Sequence, residues 1–142
     1  MKTLNSFIIE KLKLGKNIQI NNYNFFPKDF DELRSLLEQL LEERGPHADL
    51  NDIDVSQVTS FGDTIKTGKY KSYWGLFYGL NPHNIDISEW NVSKVENMRG
   101  VFFNCKNFDC DLSKWDVSGV KYMDFIFDGC NSLKNKPSWY KE

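Results

Sequence analysis

One pattern occurs twice in the chain, and this repeat is the strongest constraint on how the chain can fold. The first copy begins at Asp86 and the second at Asp111, an offset of 25 residues, and every apolar position of the two copies coincides. The register continues in three further pairs: Phe102 and Phe127, Cys105 and Cys130, and Phe108 and Leu133. Self-similarity at this period predicts that each repeat buries its apolar side against its neighbours.

The apolar spacing changes once within each repeat. Ile87, Trp90 and Val92 flank a nearly alternating stretch of β-branched and aromatic residues, which is typical of a short strand. The following apolar residues recur every three or four positions, as on one face of a helix: Val95, Met98, Phe102 and Cys105. Ser93 and Ser118 stand where such a helix would be capped. The sequence therefore predicts an α/β solenoid of 25-residue strand–helix repeats.

The repeat resembles that of the BspA-like branch of the leucine-rich repeat proteins. That repeat reads roughly D-[IL]-S-x-W-[DN]-V-S-x-V-x-x-M-x-x-x-F-x-x-C-x-x-F, and both copies follow it. The resemblance covers the chain from about Asp49 to the C-terminus. It implies a short leucine-rich-repeat-like solenoid that serves as a non-enzymatic binding scaffold. Many BspA-like proteins are bacterial surface proteins with long repeat arrays.

Three segments are predicted along the chain: a leader helix with a small hairpin (residues 1–27), a capping helix (28–48) and the repeat solenoid (49–142). The capping helix is the clearest single element, because Asp29 can cap its start and Gly45 can end it. Its apolar stripe consists of Leu33, Leu36, Leu37, Leu40 and Leu41. The stripe is expected to cover the first repeat, with dimerisation through the same leucines as the alternative.

The first and last repeats depart from the pattern. Residues 49–58 align with 86–95, but Phe77, the counterpart of Phe102, comes twelve residues late. Residues 62–74 are therefore predicted to be an insertion. Residues 134–142 form a truncated last repeat, in which Trp139 or Tyr140 takes the tryptophan position.

The insertion is the first candidate for a binding surface, because it is basic and aromatic in a slightly acidic chain. Its candidate residues are Lys66, Lys69, Tyr70, Lys71, Tyr73 and Trp74. Aromatic and cationic side chains contribute strongly to binding hot spots, and insertions in repeats tend to collect on one face. The alternative is a solvated loop whose Trp74 folds back onto the core.

The outward side of the predicted strands is the second candidate. If Ile87, Trp90 and Val92 point inward, the polar residues between them point outward. These residues and their counterparts one repeat later are Glu89, Asn91, Lys114 and Asp116. They form either a binding face or ordinary solvated surface. Asp86 and Asp111 are instead predicted to accept hydrogen bonds from local backbone at a turn.

Three cysteines are too few, and odd in number, for a disulfide framework. Cys105 and Cys130 share a repeat position and are predicted to stack as buried thiols, which indicates a reducing, cytoplasmic compartment. Neither His47 nor His83 has a metal-ligand spacing or a place in a catalytic motif, and no phosphate-binding glycine loop is present. We therefore expect neither enzymatic activity nor a cofactor or metal.

The charge and the hydropathy pattern narrow the class of partner. A net charge of −2, spread along the chain, disfavours nucleic acid as a partner. No stretch reaches the roughly 20 apolar residues that a membrane span requires. The expected partner is another protein, bound by a monomer.

The N-terminus resembles the capsid-targeting leader of internal head proteins of some tailed phages. The resemblance rests on Met1-Lys2-Thr3, Phe7-Ile8 and Glu10, and it implies cleavage after Glu10; the alternative is an amphipathic helix.

The sequence as a whole therefore predicts a function and an alternative to it. The first is a protein–protein interaction module in the cytoplasm of a bacterial or phage-infected cell. The other is a phage virion or cargo protein carried into the head, or an inhibitor of a host system.

Overall fold

The computed structural model describes residues 22–62 and 75–141. Within these ranges the regular structure consists of one helix, α1 (Phe30–Arg44), and five isolated β-bridges, with no strand. The predicted α/β solenoid of strand–helix repeats is therefore wrong. No helix follows Ser93 or Ser118 in the repeats, and the stretch around Trp90 and Val92 forms turns.

Apolar residues three positions apart are the first and last residues of tight turns. In each turn the backbone N–H of one residue donates to the carbonyl oxygen three residues earlier, at 2.9–3.3 Å. The second repeat contains five such pairs: Ile87 and Trp90, Val92 and Val95, Met98 and Val101, Phe102 and Cys105, and Cys105 and Phe108. All of these side chains are buried. A spacing of three that suits a helical face therefore arises here from turns whose ends both point into the core.

The repeats stack as layers. We define the first layer as residues 49–62 with 75–83, the second as 86–108 and the third as 111–133, followed by a closing turn at 137–140. Parallel bridges join corresponding positions of successive layers: Asp49 with Asp86, Ser60 with Asn97, and Asn97 with Tyr122. The repeat offset seen in the sequence is thus the register in which the layers pair.

A column of indole rings runs through the layers. Trp90 and Trp115 stack with ring centroids 6.3 Å apart, and Trp115 and Trp139 stack at 6.5 Å. Each indole N–H donates to a carbonyl oxygen of the preceding layer: Trp90 to Leu50, Trp115 to Ile87 and Trp139 to Leu112, at 2.9–3.0 Å. Trp139, rather than Tyr140, therefore takes the tryptophan position of the truncated repeat. Tyr140 instead packs edge-on against Phe127.

A second aromatic column lies beside the first. Phe77, Phe102 and Phe127 stack at 5.3 and 5.8 Å between successive ring centroids. Stacked rings of this kind add about 0.5–1.5 kcal/mol per pair to the free energy of burial. The two columns account for part of the high aromatic content of the chain, although the first layer has Ile53 at the tryptophan position.

Helix α1 begins and ends as its sequence predicts. The Asp29 side chain accepts from the Glu32 N–H at 2.9 Å, and Gly45 ends the helix with a φ of 87°. Leu33, Leu37 and Leu40 are buried in the same core as the layers. The assignment of residues 28–48 to a separate capping segment stays a prediction.

The segment before α1 pairs with the first layer. Phe25 forms a parallel bridge with Ile53, and Arg44 binds both carboxylate oxygens of Asp52 at 2.8 and 2.9 Å. The leader, the first half of the predicted hairpin and nearly all of the predicted insertion lie outside the described residues. Across the described part of the chain, no helix has the length and hydropathy needed to span a bilayer.

Candidate functional site

The predicted insertion is attached to the first layer through two paired glycines. Its candidate residues, Lys66, Lys69, Tyr70, Lys71, Tyr73 and Trp74, lie outside the described residues. Gly62 and Gly75 form an antiparallel bridge, and the Leu76 N–H donates to the Phe61 carbonyl oxygen at 2.9 Å. The chain thus leaves the layer and re-enters it at one point, so the layer keeps its register on both sides.

Both glycines lie against the second layer, too close for any side chain. A Cβ atom on Gly75 would lie 2.2 Å from the carbonyl carbon of Gly100, and one on Gly62 would lie 2.6 Å from Oδ1 of Asn97. Real Cβ contacts are not this short. At Gly75 the neighbouring atoms are backbone, so only glycine allows the approach, whereas a Cβ at Gly62 would require the Asn97 side chain to move. The ends of the insertion are therefore fixed beside residues 97–100.

Two of the four polar candidates are brought together as an ion pair. Lys114 Nζ lies 2.7 Å from Glu89 Oε1, and both side chains are exposed. The hydrogen bond to Glu89 raises the pKa of Lys114. The pair joins the second and third layers across the repeat offset. Exposed pairs of this kind contribute little to stability.

The other two polar candidates hold turns. Oδ1 of Asn91 accepts from the N–H and the hydroxyl of Ser93, at 3.1 and 2.7 Å. Oδ1 of Asp116 accepts from the same groups of Ser118, at 3.1 and 2.6 Å. These side chains are engaged with their own backbone, and a binding role for any of the four stays a prediction.

The predicted turn role of two aspartates is confirmed. Asp86 accepts from the Ser88 N–H at 3.1 Å, and Asp111 accepts from the Ser113 N–H at 2.9 Å. The recurring Asp-x-Ser of the repeat is therefore a side-chain-to-backbone turn, in which the acceptor stands two residues before the donor.

The structure reveals an exposed aromatic and cationic surface that the sequence reasoning missed. Among the described residues the exposed large hydrophobic side chains are Phe26, Tyr122 and Phe125, of which the last two are 50% and 40% exposed. The Arg99 guanidinium lies 5.1 Å from the centre of the Tyr122 ring, and its Nε lies 3.0 Å from a carboxylate oxygen of Asp124. We call Arg99, Tyr122 and Phe125 the aromatic patch.

The aromatic patch adjoins the ends of the insertion. Arg99 lies in the stretch of the second layer that Gly62 and Gly75 touch, and Tyr122 pairs with Asn97 in that stretch. The predicted insertion is therefore attached to the stack beside the aromatic patch.

Phe125 has an unusual backbone. Its φ is 60°, and it stands in the repeat position of Gly75 and Gly100, the latter with a φ of 66°. A left-handed conformation costs a residue with a side chain roughly 1 kcal/mol or more. The sequence signal for the patch was thus an aromatic residue at a position where the two preceding repeats have glycine.

Two of the thiols lie against carbonyl oxygens of the preceding layer. Cys105 Sγ lies 3.6 Å from the Phe77 carbonyl oxygen, and Cys130 Sγ lies 3.0 Å from the Phe102 carbonyl oxygen, one layer earlier in each case. Burial raises the pKa of Cys105 to about 12 and those of Cys110 and Cys130 to about 11. All three cysteines are free. The two cysteines occupy the same position in successive layers, as predicted; the predicted burial is confirmed for Cys105, whereas Cys130 is only half-buried.

The described ranges contain no group of three or more His, Cys, Asp or Glu side chains placed to hold a metal ion. His47 and His83 contact each other edge-on, with ring centroids 5.2 Å apart. In the same ranges every fully buried side chain is hydrophobic.

Residues 47–141 match the family described as "Mycoplasma protein of unknown function" (DUF285). This match covers most of the chain and all three layers, and the chain belongs to that family. No curated protein and no solved structure matches the chain significantly.

Proposed function

We propose that this chain is a non-enzymatic protein-binding module whose binding surface combines the aromatic patch with the insertion beside it. The observation that carries the proposal is the position of the patch. Tyr122 is exposed with its ring against Arg99, and Phe125 is exposed three residues later in the chain, at the point of the stack where a basic and aromatic segment is attached. Tyrosine, tryptophan and arginine are the residues most enriched in binding hot spots.

The layers supply a stable base for such a surface. Tyr122 lies on backbone that is hydrogen-bonded to the second layer, since the Met98 N–H donates to the Tyr122 carbonyl oxygen at 2.8 Å. An anchor held by packed backbone loses little conformational entropy when a partner binds. The strained φ of Phe125 is consistent with a side chain retained for function at some cost in stability.

The repeat resembles that of BspA-like proteins, and this resemblance also supports a binding role. The alternative of a virion or cargo protein depends on residues 1–10, whereas an inhibitor of a host system would be the same binding module with a particular partner. Deleting these residues separates the two proposals, because binding through the patch predicts unchanged affinity whereas the cargo role predicts loss of packaging.

The patch is tested by a double variant, Tyr122→Ser with Phe125→Gly. Glycine suits the backbone at position 125, as it does at Gly100, so the variant is expected to stay folded, with a melting temperature equal to or above that of the wild type. Proteins captured from bacterial lysate by the immobilised chain are identified and their affinities measured. We expect at least a tenfold loss of affinity for a specifically captured protein.

Two further variants complete the experiment. Replacing Lys69, Tyr70, Lys71, Tyr73 and Trp74 by serine and glycine is expected to weaken the same interaction. The matched control Gln39→Ala with Glu43→Ala removes an exposed side-chain hydrogen bond on α1 and is expected to leave the affinity unchanged. Equal capture by the wild type and the folded double variant would contradict the proposed surface.

A further inference from the structure

The exposed side of α1 is acidic, because both arginines of the helix are engaged with the first layer. The Arg34 guanidinium donates to the carbonyl oxygens of Leu76 and Tyr78 at 3.0 and 2.6 Å, and the Arg44 guanidinium binds the carboxylate of Asp52. The other charged side chains of α1 are all carboxylates and all exposed: Asp31, Glu32, Glu38, Glu42 and Glu43. The helix therefore presents mainly negative charge to its surroundings.

An open hollow of about 480 Å³ lies on the first half of this helix. Its lining includes the exposed residues Asp31, Glu32 and Ser35 and the half-buried Leu36. No ion pair in the described part of the chain includes Asp31 or Glu32. The hollow thus combines an apolar side chain with two carboxylates whose charge is not balanced by a paired cation.

The chain itself contains a segment of matching character, residues 1–16, which we call the basic segment. It has four lysines and one glutamate. Its apolar residues include four at spacings that place them on one side of a helix: Leu4, Phe7, Ile8 and Leu12. A basic, amphipathic sequence of this kind is typical of a segment that binds an acidic surface with an apolar seat.

The basic segment is attached within reach of α1. The Asn24 side chain donates to Asp52, which also binds Arg44, and the Arg44 guanidinium lies 5.8 Å from the centre of the Phe25 ring. The chain therefore enters the described structure beside the C-terminal end of the helix. Residues 17–21 can span up to about 17 Å, and residues 4–16 as a helix would be about 20 Å long, close to the length of about 22 Å of α1.

We propose that the basic segment binds the exposed side of α1, with its apolar residues on Leu36 and its lysines facing Asp31 and Glu32. Charge complementarity selects this occupant, and attachment to the same chain gives it a high effective concentration at the hollow, so that a weak contact is well populated. A segment held in this way is withdrawn from other partners until it is released.

A second copy of α1 fits the hollow poorly. Two such helices facing each other about a two-fold axis would bring their carboxylates together, and like charges at short distance repel. The acidic side of α1 therefore favours a basic occupant over its own copy.

The full chain tests the proposal through a nitroxide label on Asn5→Cys. Burial raises the pKa of Cys105 to about 12 and those of Cys110 and Cys130 to about 11, so the introduced thiol reacts first at pH 7. In amide NMR spectra the label is expected to reduce the peak intensities of residues 31–36 at least twofold. It is expected to leave those of residues 138–140, in the closing turn, unchanged.

Two variants with the same change in net charge test the acidic seat. Asp31→Lys with Ser35→Lys reverses the charge at the hollow and is expected to abolish the loss of intensity at residues 31–36. The matched control Asp128→Lys with Ser113→Lys alters exposed positions of the third layer and is expected to retain it.

A variant of the basic segment tests the apolar contact without altering the layers or α1. Phe7→Ser with Ile8→Ser removes two of the apolar residues and is expected to abolish the same loss of intensity. The unchanged spectrum of the layers is the control for folding.

Three results would overturn the proposal. Unchanged intensities at residues 31–36 would show that the basic segment does not lie on α1. A loss that persists after charge reversal at the hollow would show only that the segment is attached nearby. A loss seen in an isotope-labelled chain mixed with a nitroxide-labelled one would show contact between copies instead.

Discussion

Short polar side chains set the turns of each layer by accepting from the backbone N–H two residues later. Asp86, Asn91, Asp111 and Asp116 all do so, at 2.9–3.1 Å. The bond replaces a backbone partner that a strand or helix would have supplied, so a chain with little regular structure still satisfies its N–H groups. The serine that follows adds a hydroxyl bond in three of the four turns.

Four aspartate carboxylates make the stability of the fold sensitive to acid. Hydrogen bonds lower the pKa of Asp52, chiefly from Arg44, and that of Asp86, chiefly from Asn51; those from Ser113 and Ser118 do the same for Asp111 and Asp116. A carboxyl whose pKa is lower in the folded state stabilises the fold above its unfolded value, 3.8. That stabilisation is lost as the pH falls through the folded-state pKa.

We therefore expect the melting temperature to be flat from about pH 5 to 7 and to fall steeply below about pH 4, as measured by circular dichroism. Asp52→Asn is expected to lower stability by about 1 kcal/mol at pH 7, because it loses a charged partner of Arg44. The same variant should lose less stability than the wild type between pH 5 and 3. Parallel profiles of stability against pH for Asp52→Asn and the wild type would contradict the role assigned to the Asp52 carboxylate.

The indole N–H groups tie each layer to the one before it. Trp115 is 4% exposed and donates to the Ile87 carbonyl oxygen at 3.0 Å. Trp115→Phe keeps an aromatic ring in the column but removes one of the two donors to that oxygen, which still accepts from the Trp90 N–H at 3.2 Å, and is expected to cost about 0.5–1.5 kcal/mol. Trp115→Ala also leaves a cavity and is expected to cost about 3–5 kcal/mol.

Trp139 provides the internal comparison, because it makes the same bond while half-buried. Trp139→Ala is expected to cost clearly less than Trp115→Ala in urea unfolding. Equal losses at the two positions would indicate that depth in the column does not determine the contribution of an indole.

At the scale of elements, α1 was predictable and the structure of the repeats was not. Helix α1 carries its own signals, an aspartate cap, a continuous leucine stripe and a terminal glycine, so local sequence determines it. In the repeats, apolar residues three apart fit a helical face and a series of turns equally well. The Asp-x-Ser pairs favour turns, because an aspartate or asparagine that binds the backbone two residues later competes with helix formation.

Helix α1 is expected to stabilise the stack through Arg34 as well as through its leucines. Arg34→Ala leaves the carbonyl oxygens of Leu76 and Tyr78 without their donor and is expected to cost about 2–3 kcal/mol in urea unfolding. The control Glu38→Ala removes only the exposed ion pair with Arg34 and is expected to cost less than about 0.5 kcal/mol. Equal costs for the two variants would show that Arg34 acts through the ion pair alone.

At the scale of the whole molecule, the register was predictable and the surface only in part. The 25-residue offset correctly pairs Trp90 with Trp115 and places the phenylalanine and cysteine columns, since buried positions recur from layer to layer. At the closing turn the offset leads to Tyr140, whereas the structure has Trp139 in the column. The aromatic patch could not be found from periodicity, because Tyr122 and Phe125 occupy positions where the earlier layer has Asn97 and Gly100. Departures from a repeat, rather than the repeat itself, identify the candidate binding surface.

The central claim is that each repeat is a layer of turns bonded to the next layer, without a helix. NMR of the labelled chain tests it most directly, through the Cα chemical shifts of residues 95–105 and the contacts across layers. We predict no continuous helical run of shifts, a left-handed signature at Asn104, and a contact between the Met98 amide proton and residue Tyr122. A continuous run of helical shifts over residues 95–105, with helical contacts three residues apart and none to Tyr122, would contradict the account.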